Sequence, residues 1–167
     1  MKIIFTFLFF ICVFSIQLGA QIYFPDRCEG KWQGMMLIYG NGILKDSVKC
    51  ELTVKRVSET GVWAWRTEYL SPTLPVVKDY FLKLNKENDR IFTLDEGDGI
   101  ELTNYLFNNK LYCIFETSGI LLTSSYELAD DNIIFEVTSG KKPEISDKDV
   151  ISFPVSNMQR VIFTKTE

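Results

Sequence analysis

The chain has 167 residues, with 18 basic against 22 acidic side chains, a net charge of −4, and no histidine. That balance supplies no basic patch for a phosphate backbone, which excludes nucleic-acid binding. The missing histidine removes Ser-His and Cys-His dyads, histidine metal sites and histidine-ligated haem.

Met1-Lys2 opens a short positive stretch, and the apolar run from Ile3 to Phe14 follows. Gly19-Ala20 then precede Gln21. This is the layout of a cleaved secretory signal over residues 1–20. The run is shorter than the roughly 20 residues a spanning helix needs. Cys12 lies inside it and is not placed as a lipid acceptor. The expectation is a soluble exported protein, periplasmic or extracellular and not membrane-spanning, with a single domain over 21–167. Without Lys2 the remainder carries 17 basic and 22 acidic side chains. A domain of this size buries a full core without staples. Its cysteines are Cys28, Cys50 and Cys113, so at most one pair can form. Cys28 could staple to a neighbouring strand. Cys113, in "LYCIF", reads as a buried small hydrophobe. No CxxC spacing supports a thiol redox role or a zinc knuckle.

Short β-like runs bounded by turn residues then recur along the chain. The first is Lys31–Tyr39, stopped by Gly40-Asn41-Gly42. The second, Ser47–Val57, alternates Val48, Cys50, Leu52 and Val54 with Lys49, Glu51, Thr53 and Lys55, one face for a core and one for water. After Ser58-Glu59-Thr60-Gly61 come Val62–Leu70, Val76–Leu84 and a short Arg90–Leu94. Ile100–Phe107 and Lys110–Thr117 flank a tight Asn108-Asn109 turn. Ile120–Leu128 and Asn132–Thr138 flank Asp130-Asp131. The polar stretch "SGKKPEISDKD" separates these from a last strand near Val155–Lys165. Hairpin-length connections make pairing of successive strands the cheapest topology. A meander of about ten strands leaves two exposed edges unless it closes. The expected fold is therefore all-β, an antiparallel up-and-down β-barrel. A two-sheet sandwich is the alternative.

Gly30-Lys31-Trp32, extended to Gly30-Lys31-Trp32-Gln33-Gly34, resembles the Gly-x-Trp signature of lipocalins and the wider calycin group. It also resembles the first strand of small ten-stranded barrels, the nitrobindin-like proteins among them. The resemblance implies a structural barrel floor of Gly30, Trp32 and Arg160. Trp32 would plug the closed end, and Arg160, in "SNMQRVIF" of the last strand, would pack across its ring as a cation–π contact. Nitrobindin-like proteins hold haem through a histidine, so no cofactor is carried over to this chain.

"GVWAWRTEY", Gly61–Tyr69, is the richest segment for chemistry. Trp63, Trp65, Thr67 and Tyr69 share one face of a strand, and Ala64, Arg66, Glu68 and Leu70 share the other. With the aromatic face inside, a π-rich cavity wall results. With the other face inside, a buried Arg66–Glu68 pair would anchor a polar head group. A surface ladder across neighbouring strands explains the same charges. The candidate ligand-binding residues are Trp63, Trp65, Arg66, Glu68, Tyr105 and Tyr126. Tyr80, Phe107, Tyr112, Phe115 and Phe135 are further aromatics able to face inward. "LDEGDGIEL" gathers Asp95, Glu96, Asp98 and Glu101 but lacks the twelve-residue calcium-loop pattern, and a solvated hairpin turn explains it, so no metal is assigned. The hydroxyls of Ser124, Ser125 and Tyr126 could orient a ligand. A nucleophilic serine would need a lysine base, and no Ser-x-x-Lys motif exists. No catalytic residue is assigned.

Three readings follow. The first is an exported calycin-like barrel holding a small, mostly apolar molecule in its lumen. The second is an envelope accessory protein with a packed barrel that works through its surface, by a protein partner unknown from sequence. The third, an enzyme with Arg66 and Glu68 at its centre, has least support.

Overall fold

The computed structural model describes residues 21–142 and 150–166. The expected signal segment, 1–20, and positions 143–149 of the polar stretch lie outside the described residues. The strands are β1 (Gly30–Gly40), β2 (Ile43–Arg56), β3 (Val62–Tyr69), β4 (Val76–Leu84), β5 (Ile91–Gly97), β6 (Ile100–Phe107), β7 (Lys110–Thr117), β8 (Ile120–Ala129), β9 (Asn132–Lys141) and β10 (Asn157–Lys165). Each pairs antiparallel with its neighbour in sequence, and β10 returns to β1, so the sheet closes into a ten-stranded barrel. Closure removes the free edges that a meander would leave. β9 runs on to Lys141, opposite Ile120 of β8, and β2 and β5 run several residues further toward their tight turns than the period-two pattern reaches. The reason lies in turn chemistry. Asn41, Asp98, Asn108, Ser118 and Asp130 all take φ of 51–53°, a left-handed conformation that Asn and Asp tolerate and that lets two strands pair up to a tight turn.

One element has no signature in the sequence, the single-turn helix α1 (Phe24–Arg27). Four residues are too few for a helical period to register. The Asp26 carboxylate accepts the Tyr23 amide at 2.8 Å, which holds one of the orphan donors of the first turn. Phe24 and Pro25 are buried beneath the barrel, so α1 closes that end.

The strand pleat decides what faces inward. β2 buries Cys50, Leu52 and Val54, and β3 buries Trp63, Trp65 and Thr67. The lumen is not filled evenly. At the α1 end Trp32, Leu52, Trp63, Phe92, Ile133 and Phe163 pack into a solid floor, none more than 2% exposed. Two glycines of the "GKWQG" stretch serve the seam. Gly30 has φ +130° where the chain turns up from α1 into β1. At Gly34 a Cβ would sit 2.4 Å from the Ile162 carbonyl oxygen, so β10 passes here only because there is no side chain.

The floor differs from the expected one at its cation. Trp32 is buried, and its indole N–H donates to the Cys28 carbonyl at 2.8 Å. The cation over its ring is Lys165, 5.2 Å from the centroid, and not Arg160. Parity explains this correction. Val161 and Phe163 face inward, so Arg160 faces out, where it pairs with Glu136 at 3.4 Å. Lys165 lies directly opposite Trp32 in the β1–β10 register. Among the described residues the cysteines are Cys28, Cys50 and Cys113, all buried and free.

Candidate ligand cavity

Above the floor the walls stand apart and enclose a cavity of about 710 Å³. It opens at the end formed by the β1–β2, β3–β4, β5–β6 and β7–β8 turns. Ile38, Val48, Leu94, Leu102, Phe135 and Val137 supply apolar wall, and Tyr69, Tyr80 and Tyr126 add phenol rings. The charged lining groups are Asp46, Lys78 and Glu96. Ser71, Thr73 and Leu74, from the β3–β4 connection, lie at the mouth.

The inward face of β3 passes from floor to cavity along four alternate residues. Trp63 is in the floor, its N–H donating to Asp26 at 2.8 Å and its ring under the Arg56 guanidinium at 5.2 Å. Trp65 lies one step higher, its edge against Tyr126 with centroids 5.1 Å apart. Thr67 and Tyr69 line the cavity itself. Tyr126 also stacks on Phe135, at 4.3 Å and 21°, so its ring is fixed from two sides.

Burial dominates the phenols. It pushes Tyr69 up to about 12, with Cys50, Tyr80 and Glu96 nearby acting in the same direction. It raises Tyr126 well above the ordinary tyrosine range. Burial also raises Tyr80, against the opposing pull of Lys78. Lys78 in turn is raised by its hydrogen bond to Tyr80 and lies over that ring at 5.5 Å. The phenols are therefore neutral donors at physiological pH, set in apolar wall.

The six candidate ligand contacts separate by height and by face. Tyr126 lines the cavity. Trp63 and Trp65 face inward but are fully enclosed below it. Arg66 and Glu68 stand on the outer wall and do not line the lumen. Arg66 bonds Glu68 at 2.9 Å and Asp79 at 2.7 Å, a surface ladder between β3 and β4. Tyr105 is on the outer face and 51% exposed. The reason is parity: on β6 the inward set is Leu102, Asn104 and Leu106. Of the other aromatics, Tyr80, Phe115 and Phe135 line the cavity, while Phe107 and Tyr112 are outside, exposed beside Tyr105. The acidic turn splits in the same way. Glu96 faces the cavity, but Asp95 faces out and binds Lys83 at 2.6 Å. Ser124 lines the cavity, and Ser125 faces away from it. Thr67 and Tyr69 belong to the aromatic face of β3 that the sequence offered as cavity wall, whereas Asp46 and Lys78 were not singled out from sequence. The alternation of β2 and β4 carries the signal for these two once an inner face is assigned.

Among the described residues no helix is long and apolar enough to cross a membrane, and no three acidic or cysteine side chains converge on a metal position.

No family model matches the chain, and no curated protein matches it in sequence. Solved structures do match in shape. The S-type phycobiliprotein lyase CPES from Guillardia theta superposes with a TM-score of 0.63 at 9% identity, over 86% of this chain and 91% of that one. The wild-type fluorescent protein UnaG superposes with a TM-score of 0.45 at 14% identity, over 84% and 98% of the respective chains. The closed ten-strand antiparallel barrel is a calycin-like fold.

Proposed function

We propose that this protein is an exported carrier or receptor that binds one small, mostly apolar molecule inside its barrel. The cavity of about 710 Å³ carries the reading. Its size falls within the ~300–1,000 Å³ of small-molecule sites, and such sites are apolar with a few placed polar groups. A barrel that existed only as a packed scaffold would fill both halves, and this one fills only the lower. The composition of residues 1–20 supports export, and N-terminal sequencing of the protein from its host should begin at Gln21.

Binding is tested with Nile red, a neutral dye that fluoresces in apolar surroundings. One equivalent should bind, and Val137→Trp, which fills the cavity, should weaken binding at least tenfold while the melting temperature stays near that of the parent. Equal binding by the filled variant would place the dye elsewhere and remove the reading.

A second reading is a protein that works through its outer surface. Tyr105, Phe107, Tyr112 and Ile114 form an exposed apolar strip on β6 and β7. Pull-down from the host envelope separates the two. A stoichiometric protein partner with no extractable small molecule would favour the surface.

A further inference from the structure

The barrel wall is open along one junction. β6 and β7 pair at Tyr105–Tyr112, Leu106–Leu111 and Phe107–Lys110, next to their Asn108-Asn109 turn, and the pairing then stops. Both strands run on toward the open end, over 100–104 and 113–117. Neither strand is frayed there. β6 stays paired with β5 as far as Ile100, and β7 with β8 as far as Thr117. At the other short junction, β4–β5, pairing reaches Asp95, two residues from the end of β5. The β6–β7 opening is five residues deep, roughly 17 Å at the rise of a strand.

Charge accounts for the parting. The Leu106 N–H donates to the Arg90 carbonyl at 2.8 Å, so the even-numbered residues of β6 turn their backbone groups to β5, and Glu101 and Thr103 turn theirs toward β7. Continued register would set Thr103 opposite Ile114 and Glu101 opposite Glu116. Like charges directly opposite destabilise a strand pair. Each glutamate instead meets a lysine away from the junction, Glu101 with Lys83 at 3.7 Å and Glu116 with Lys142 at 2.9 Å. The opening leads to the cavity. Leu102 and Phe115, which the same register would set opposite one another, both line the lumen. The outer lip is apolar, with Tyr105, Tyr112 and Ile114 exposed, Ile114 to 70%.

We propose that the apolar ligand enters and leaves the cavity through the side of the barrel, between β6 and β7. The route runs from the Ile114 lip past Leu102 and Phe115, while the two glutamates stand nearer the open end. Each strand is held by its outer neighbour along the opening. Spreading the two therefore breaks no ladder bond between them and leaves the rest of the wall intact. This inference rests on the cavity-binding reading and adds the path by which that site fills.

Stopped-flow fluorescence of Nile red tests it. Glu116→Lys sets opposite charges across the junction and favours its closure. It should slow dye association and dissociation alike, each about fivefold, and leave the dissociation constant within about twofold of the parent. Nile red is neutral, so the charge change does not steer it. Glu59→Lys, an equal change at an exposed position of the β2–β3 turn, should leave both rates unaltered. Thr103→Cys combined with Ile114→Cys ties the junction shut when oxidised, and the buried native cysteines stay out of the bridge. The oxidised form should slow both rates about tenfold or more, and reduction should restore them. Unaltered rates in the oxidised form, or a slowing shared by Glu59→Lys, would overturn the lateral route and leave the end mouth as the entrance. Failure of the parent to bind Nile red would overturn the cavity reading together with it.

Discussion

Asp26 holds the closed end by accepting three bonds, from the Tyr23 amide, the Trp63 indole and the Arg56 guanidinium. Burial opposes its charge, but those hydrogen bonds outweigh it, and the carboxyl titrates below the ordinary aspartate value. A depressed folded-state pKa contributes stability that is fully present above the unfolded value, about 3.9. That contribution is lost as pH falls through the folded value. Asp26→Asn should therefore give a flatter stability profile than the parent between about pH 5 and 2, measured by urea unfolding. Asp26→Ala should cost about 2 kcal/mol, because it leaves the Trp63 N–H buried without a partner. The cysteines give a second check at this scale. Burial pushes Cys28 up to about 12 and Cys50 to about 11. Few thiolates exist at pH 8, so neither should react with iodoacetamide in the native state, and both should react in guanidinium. Rapid native labelling at either position would show that the floor opens.

Strand parity governs the next scale. On β3 the outward Arg66 and Glu68, which ladder to Asp79 of β4, and the inward Trp65 and Thr67 are neighbours in sequence but separated by the wall. Arg66→Ala should leave Nile red affinity within twofold of the parent, whereas Thr67→Trp should abolish binding; a large effect of Arg66→Ala would contradict the placement. The seam between β1 and β10 depends on Gly34 in the same physical sense. Gly34→Ala forces a Cβ against the β10 backbone, and overpacking of this kind costs about 1–3 kcal/mol. The loss should appear as a lowered urea midpoint with an unchanged slope. β6 and β7 are the loosest junction. Their residue pairing runs only over Tyr105–Phe107 and Lys110–Tyr112, and it stops before the open end. The strands there should show the fastest amide exchange of the wall.

For the whole molecule, one end is solid and the other is hollow. Rings from β1, β3, β5 and β10 and aliphatics from β2 and β9 meet over α1, and this packed half carries the stability that the open half does not need to supply. A ligand that enters the open half binds only the folded state. At a hundred times its dissociation constant it should stabilise the protein by about 2.7 kcal/mol. A melting temperature independent of Nile red concentration would count against a luminal site.

Much of this architecture was present in local pattern. Period-two alternation in β2, Gly and Asn turns and short connections determine ten strands and their nearest-neighbour pairing, because those signals act within a few residues. Trp32 in its Gly-x-Trp setting pointed to a calycin-like plan for the same reason. Local pattern left three things open. It could not choose the inner face of β3 or β6, since both faces of each carry aromatic or apolar residues, and burial is decided only when the barrel closes. It could not name Lys165 over Arg160, because the register between the first and last strands spans the whole chain. Nor could it show where the lumen is filled and where it is empty. That depends on side chains from most of the strands meeting at one height, and only the tertiary structure brings Trp65, Thr67 and Tyr126 together beneath a cavity.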